Sequence, residues 1–152
     1  MDQSDLHSRA VSCGIKHIGI ATYSSGKIFV YLLNKGFPED ICRSAVDELI
    51  ERKYIDDTKA SRKVLVARSG KKQESKEYIH KRLEAAGIDP DVADTVVSGL
   101  ESDTRTCYKL FEALGFGEDS EEIRDEMIKT AIRRGYPYDL ASRVYELWSQ
   151  DI

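Results

Sequence analysis

Three times in this chain an apolar run at helical spacing reaches a glycine, passes an apolar residue and meets a proline. The copies are Leu32-Leu33-Asn34-Lys35-Gly36-Phe37-Pro38, Leu83-Glu84-Ala85-Ala86-Gly87-Ile88-Asp89-Pro90 and Ala131-Ile132-Arg133-Arg134-Gly135-Tyr136-Pro137. The glycines stand 51 and 48 positions apart, and the only three prolines of the chain lie two or three places beyond them. Glycine takes the left-handed backbone conformation that ends a helix, and proline fits the first turn of the next one. Each copy therefore predicts a helix–turn–helix corner.

Counting onward from each glycine brings the copies into register. One step on are Phe37, Ile88 and Tyr136; five steps on, Ile41, Val92 and Leu140. Nine steps on are Ala45, Val96 and Val144; thirteen steps on, Leu49, Leu100 and Trp148. Apolar residues at every aligned position predict a threefold repeat of three helices each, over 1–52, 53–102 and 103–152. Units of this size cannot bury their apolar faces alone and stack on one another. The expected fold is all-α: an elongated, curved array of three tandem three-helix repeats, with no β-strand.

Within that frame the elements follow. Leu6, Ala10, Val11, Ile15, Ile18 and Ile20 predict a first helix from Asp5 to about Ala21, interrupted at Gly14 and Gly19, each costing roughly 1 kcal/mol against alanine. Ile28–Leu33 has the β-branched and aromatic content of a strand. Its counterparts in the other copies are helical, and Ser24 or Ser25 offers a cap, so a helix is expected. Ile41, Ala45, Val46, Leu49 and Ile50 line one face of the third helix. Asp56 or Asp57 opens a fourth with Val64, Leu65 and Ala60 inward; a fifth begins near Gln73 and buries Ile79 and Leu83. Val92, Val96, Val97 and Leu100 face inward from the sixth, and Cys107, Leu110, Phe111 and Leu114 from the seventh. The eighth starts at Ser120, and the ninth runs from Pro137 to about Trp148 with Leu140, Val144, Leu147 and Trp148 inward.

Several functions lack their residues. No apolar run approaches the ~20 residues of a membrane span, and the polar start Met1-Asp2-Gln3-Ser4-Asp5 has no signal-peptide pattern. Three scattered cysteines, Cys13, Cys42 and Cys107, suit reduced thiols of a cytoplasmic protein and not a disulfide framework. No catalytic, cofactor or metal site is expected. His7, His17 and His80 are far apart, and Cys13 with His17 gives two ligands where zinc needs three or four. Gly115-Phe116-Gly117 lacks the lysine of a phosphate loop and reads as a helix stop. Asp56-Asp57 reads as helix capping, not as a carboxylate pair.

Charge is unevenly placed. The formal net charge is −4, yet residues 53–86 hold ten Lys/Arg against five Asp/Glu, and residues 89–126 hold three against twelve. A domain that grips nucleic acid by charge alone is usually basic overall. A basic stretch followed by an acidic one suits a partner of mixed charge, such as another protein. The candidate partner-binding residues are Lys59, Arg62, Lys63, Arg68, Lys71, Lys72, Lys76, Lys81, Arg82, Arg133 and Arg134. Lys59, Arg62 and Lys63 share one helix face, and Lys81 and Arg82, next to inward Leu83, lie toward the solvent. For each residue alone, an ordinary solvated helix face is the competing account.

The stretch Lys53-Tyr54-Ile55-Asp56-Asp57-Thr58-Lys59, the basic helix to Arg68, and Ile79-His80-Lys81-Arg82-Leu83 leading to Ala86-Gly87-Ile88 resemble the central signature of the RecX regulatory proteins. Leu33-Asn34-Lys35-Gly36-Phe37 and Arg133-Arg134-Gly135-Tyr136-Pro137-Tyr138-Asp139 are similar to that family's first and third repeats. The chain departs from the family's pattern at Ala60-Ser61, at Glu74 and Ser75 before the fifth helix, and at Ala21–Ser25. The resemblance implies a bacterial, cytoplasmic, non-enzymatic modulator of the RecA recombinase. Such a protein lodges in the groove of the RecA filament on DNA, opposes filament growth and depresses ATPase and strand exchange. It implies a monomer without cofactor or membrane association, with weak direct contact to DNA as an added expectation. The competing expectations are a helical DNA-binding module and a generic helical-repeat adaptor.

Overall fold

At the three corners the backbone does what the glycines allow. Gly36, Gly87 and Gly135 have φ of 96°, 80° and 92°. In each, the following amide reaches back five residues: Phe37 N–H to Leu32 O, Ile88 N–H to Leu83 O, Tyr136 N–H to Ala131 O. The glycine amide reaches back three, so each is a Schellman ending that satisfies the last carbonyls of its helix. A fourth ending of this kind has no glycine: Lys53 takes φ 65°, and Tyr54 N–H donates to Leu49 O.

The computed structural model describes residues 2–152. Among them are nine α-helices and one 3-10 turn, and no strand. The helices are α1 Gln3–Ile18, α2 Ser25–Asn34, α3 Glu39–Glu51, α4 Asp57–Val66, α5 Lys76–Ala85, α6 Pro90–Ser98, α7 Asp103–Leu114, α8 Glu121–Arg133 and α9 Tyr138–Asp151. The 3-10 turn, Gly70–Lys72, lies between α4 and α5. The ambiguous Ile28–Leu33 run is helical, capped by Ser24, whose Oγ accepts from Lys27 N–H.

Several expectations are corrected. The first helix begins at Gln3, capped by Asp2, and ends at Ile18. Gly14 does not interrupt it: a Cβ there would lie 2.7 Å from Leu49 Cδ1, so the glycine lets α1 approach α3. Ile20 lies past Gly19 and is fully exposed. Ile50 and Leu147 also face outward, while Ala93, one place from the expected Val92, is the completely buried residue of α6. The fifth helix begins at Lys76, not Gln73. Pro90 alone is a first helical residue; Pro38 and Pro137 occupy the N-caps of α3 and α9 in extended conformation. At both positions the missing N–H leaves no donor unsatisfied.

By packing, the chain forms two compact units, residues 1–63 with 83–94, and residues 64–82 with 95–152. Their boundaries fall inside α4, α5 and α6, so packing and the fifty-residue sequence period divide the chain differently. In the first unit Ala10, Val11, Ile28, Leu32, Ala45 and Leu49 from α1, α2 and α3 form the core. In the second, Cys107, Leu110, Phe111, Met127, Val144 and Trp148 from α7, α8 and α9 do the same. Tyr136 is buried there, and its hydroxyl pairs with Thr106 Oγ1 at 2.8 Å.

Candidate partner-binding surface

The basic residues are presented by elements whose anchoring is specific. Asp56 caps α4, accepting from Lys59 N–H at 3.1 Å. Asp57 does something the sequence does not announce. Its carboxylate is 7% exposed and accepts Ser25 N–H at 2.7 Å, Asp89 N–H at 2.8 Å and the Ser25 hydroxyl. It lies at the start of α4 and binds donors at the starts of α2 and α6. Three helix N-termini, each a partial positive charge, thus converge on one buried carboxylate. Of the acid pair read as helix capping, Asp56 caps α4 itself, and Asp57 caps across to the starts of α2 and α6.

A parallel arrangement holds the second unit. Ser75 caps α5, accepting from Tyr78 N–H, as Ser24 caps α2. The next amide, Lys76 N–H, donates to Asp103 Oδ1 at 2.9 Å, as Ser25 donates to Asp57. Ser75 N–H donates to Arg134 O, and Ser24 Oγ to Ala86 O, so each capping serine binds the residue preceding a corner glycine.

On this frame α4 turns Ala60 and Ser61 inward and leaves Lys59, Arg62 and Lys63 exposed on one side. The 3-10 turn exposes Lys71 and Lys72. None of these five side chains enters an ion pair among the described residues. The other six are engaged within their unit. Glu74, 3% exposed, receives a fork from Arg82: Nε to Oε1 and Nη2 to Oε2, both 2.9 Å. Those bonds raise the proton affinity of the Arg82 guanidinium. Arg68 Nε stands 3.8 Å from the same carboxylate and has no hydrogen-bond acceptor. Lys76 is half-buried. Lys81 pairs with Glu77 at 3.5 Å and lies over the Tyr78 ring. Arg133 lies 3.8 Å from Glu126 and donates to Thr130 Oγ1, and Arg134 is half-buried.

The residues sequence reasoning missed are Asp57, Glu74, Ser75 and Asp103. Glu74 and Ser75 are two of the departures from the family pattern, and both are buried. A lone acid inside a basic run was the available signal for Glu74. Among the described residues no group of three or more His, Cys, Asp or Glu could hold a metal ion. His17 instead stacks on Tyr31 and Tyr23, and Cys13 packs against the first core. No helix among the described residues is long and apolar enough to cross a membrane.

No family model matches the chain. It is 29% identical over 122 residues to the regulatory protein RecX of Mycobacterium tuberculosis (strain ATCC 25618 / H37Rv), covering 74% of this chain and 70% of that protein. To the regulatory protein RecX of Mycobacterium avium (strain 104) it is 23% identical over 119 residues, covering 74% and 69%. The fold superposes on the crystal structure of RecX from Lactobacillus salivarius with a TM-score of 0.73 at 15% identity, over 97% of this chain and 99% of that one. A second crystal structure of a regulatory protein RecX gives a TM-score of 0.65 at 16% identity, over 99% and 74%. In sequence and in fold alike the chain is similar to RecX regulatory proteins.

Proposed function

We propose that this chain is a non-enzymatic, cytoplasmic regulator that binds a RecA-type recombinase filament on DNA and inhibits its growth, ATPase and strand exchange. The observation that carries the proposal is the joint likeness in sequence and fold to RecX regulatory proteins. Lys59, Arg62, Lys63, Lys71 and Lys72 are its leading contacts, because they reach solvent without an internal acid partner. Arg68, Lys76, Lys81, Arg82, Arg133 and Arg134 are further contacts, which also hold the fold of their own unit. The protein acts as a monomer by differential affinity, binding a slowly growing filament state more tightly than an active one. Free DNA is the lesser partner, since residues 89–126 hold twelve Asp/Glu against three Lys/Arg.

The test is ATP hydrolysis by a RecA recombinase on single-stranded DNA with this protein titrated in. Inhibition at substoichiometric amounts, with weak binding to DNA alone, is the expected result. Replacing Lys59, Arg62, Lys63, Lys71 and Lys72 together by alanine abolishes inhibition while each change alters stability by no more than about 0.5 kcal/mol. Unchanged hydrolysis together with tight, steeply salt-dependent DNA binding favours a DNA-binding module instead.

A further inference from the structure

Between Asp5 and Glu39 the sequence contains no acidic residue, and Arg9, Lys16, Lys27 and Lys35 lie inside that interval. In a chain with 33% charged residues and a net charge of −4, this is the longest departure from mixed charge. The fold gathers it into α1, α2 and their connection. There the His17 ring lies flat on Tyr31, with centroids 3.6 Å apart and planes at 10°. Tyr23 stacks on the same imidazole at 4.9 Å and 28°. Lys35 Nζ stands 5.3 Å from the Tyr31 centroid. Lys27, Tyr31 and Lys35 follow at four-residue spacing, so they share one face of α2. His17, Lys16, Lys27 and Lys35 are exposed, and the two tyrosines are half-buried.

Three acids of the first unit have partners of their own. Glu48 of α3 pairs with His7 and Arg52, and His7 lies about 15 Å back along α1 from His17. Asp57 is buried beneath three donors, two from Ser25 and one from Asp89. Asp40 of α3 accepts from Gln3 at the far end of α1. The cation seated on the column is Lys35, and no acid precedes it in the sequence back to Asp5.

We propose that this ledge is a contact surface for single-stranded nucleic acid. A nucleobase extends the Tyr23–His17–Tyr31 column, and neighbouring phosphates meet Lys16, Lys27 and Lys35. Stacked rings beside cations suit this ligand because every base offers a π-face and every nucleotide a negative charge. An acidic peptide would use the cations and leave the preformed stack idle. Its residues differ from the α4 lysines, and it does not depend on the recombinase proposal.

The experiment is fluorescence anisotropy of a labelled oligothymidylate with the full chain and no recombinase, over a salt series. The unmodified chain binds. His17→Ala or Tyr23→Ala lowers affinity roughly fivefold or more, the loss of one base–aromatic stack. Lys16→Gln/Lys27→Gln/Lys35→Gln lowers the magnitude of the salt slope by about 2, from ~0.7 per phosphate contact on a single strand. Helical circular dichroism and Tm confirm each variant's fold. His17 is exposed, so its variant carries the test where a tyrosine variant unfolds. Absence of binding overturns the proposal. So does full affinity in both ring variants, including the case where the lysine variant alone weakens binding and the face is a plain electrostatic or acidic-peptide surface. Failure to inhibit a recombinase leaves this outcome untouched, because no recombinase is present.

Discussion

Replacing Asp57 by alanine tests the claim that one carboxylate ties three helix starts together. The side chain is 7% exposed and accepts two main-chain N–H groups, at 2.7 Å from Ser25 and 2.8 Å from Asp89. Leaving a buried donor unsatisfied costs roughly 1–3 kcal/mol, and a bond to a charged acceptor is worth about 1.5–3 kcal/mol. Two stranded donors, offset in part by relief of carboxylate burial and by water entry, predict a loss of about 3–5 kcal/mol. Domains of this size hold about 5–15 kcal/mol in all, so much of the stability is at stake. Asp57→Asn keeps the shape but can accept only on its oxygen while its amide faces a donor, and it loses about 2–3 kcal/mol. Asp56→Ala supplies the comparison. That residue is exposed and makes a single cap to Lys59 N–H, so its loss costs about 1 kcal/mol. Urea titrations give the three values, and hydrogen exchange reports the Ser25 and Asp89 amides directly. Equal costs for Asp57→Ala and Asp56→Ala, or unchanged protection at those amides, would refute the reasoning.

Lys53→Gly relieves a left-handed lysine at φ 65° and raises stability by about 0.5–1 kcal/mol, seen as a Tm rise of roughly 2–4 °C. Gly36→Ala costs about 1 kcal/mol of backbone strain, because nothing lies within 4 Å of the new methyl. Gly135→Ala costs more, about 3 kcal/mol, because its methyl would overlap Ser75 Oγ and the Tyr78 ring; denaturant midpoints for the pair check the difference. Burial pushes the Cys107 thiol from 9.0 to about 12. The unfolded chain releases that proton first, so this thiol's contribution to stability is flat below pH 9 and falls between 9 and 12 at up to about 1.4 kcal/mol per pH unit. Cys107→Ala flattens the slope between pH 9 and 10 in urea titrations at fixed pH, and an unaltered slope there would count against burial as the cause.

The corners were legible because glycine and proline act locally: Gly36, Gly87 and Gly135 adopt left-handed backbone at the positions their spacing marks. The same register settled Ile28–Leu33 as helix against its strand-like composition. Contacts between distant segments were not legible. Gly14 looked like a helix breaker because nothing near it in sequence shows Leu49 packed against it. Ile20, Ile50 and Leu147 were placed inward by period alone; Ile20 falls beyond the helix end at Ile18, and a few tens of degrees of helix rotation leave Ile50 and Leu147 outside. In the candidate surface, exposure of Lys59, Arg62 and Lys63 followed from helical spacing. The tie between Arg82 and Glu74 spans eight residues and two elements, beyond any helical neighbour rule.

The first unit closes with a segment, residues 83–94, that follows a stretch belonging to the second. During synthesis from the N-terminus, α1, α2 and α3 leave the ribosome with Ser24 and Ser25 still lacking partners. Asp57 arrives later, and Ala86 and Asp89 about thirty residues after that, a wait of a few seconds at 5–20 residues per second. Maturation of this unit is thus timed by translation of the intervening helices. A premature stop before Ala86 releases a polypeptide whose α2 start lacks the Ala86 and Asp89 contacts.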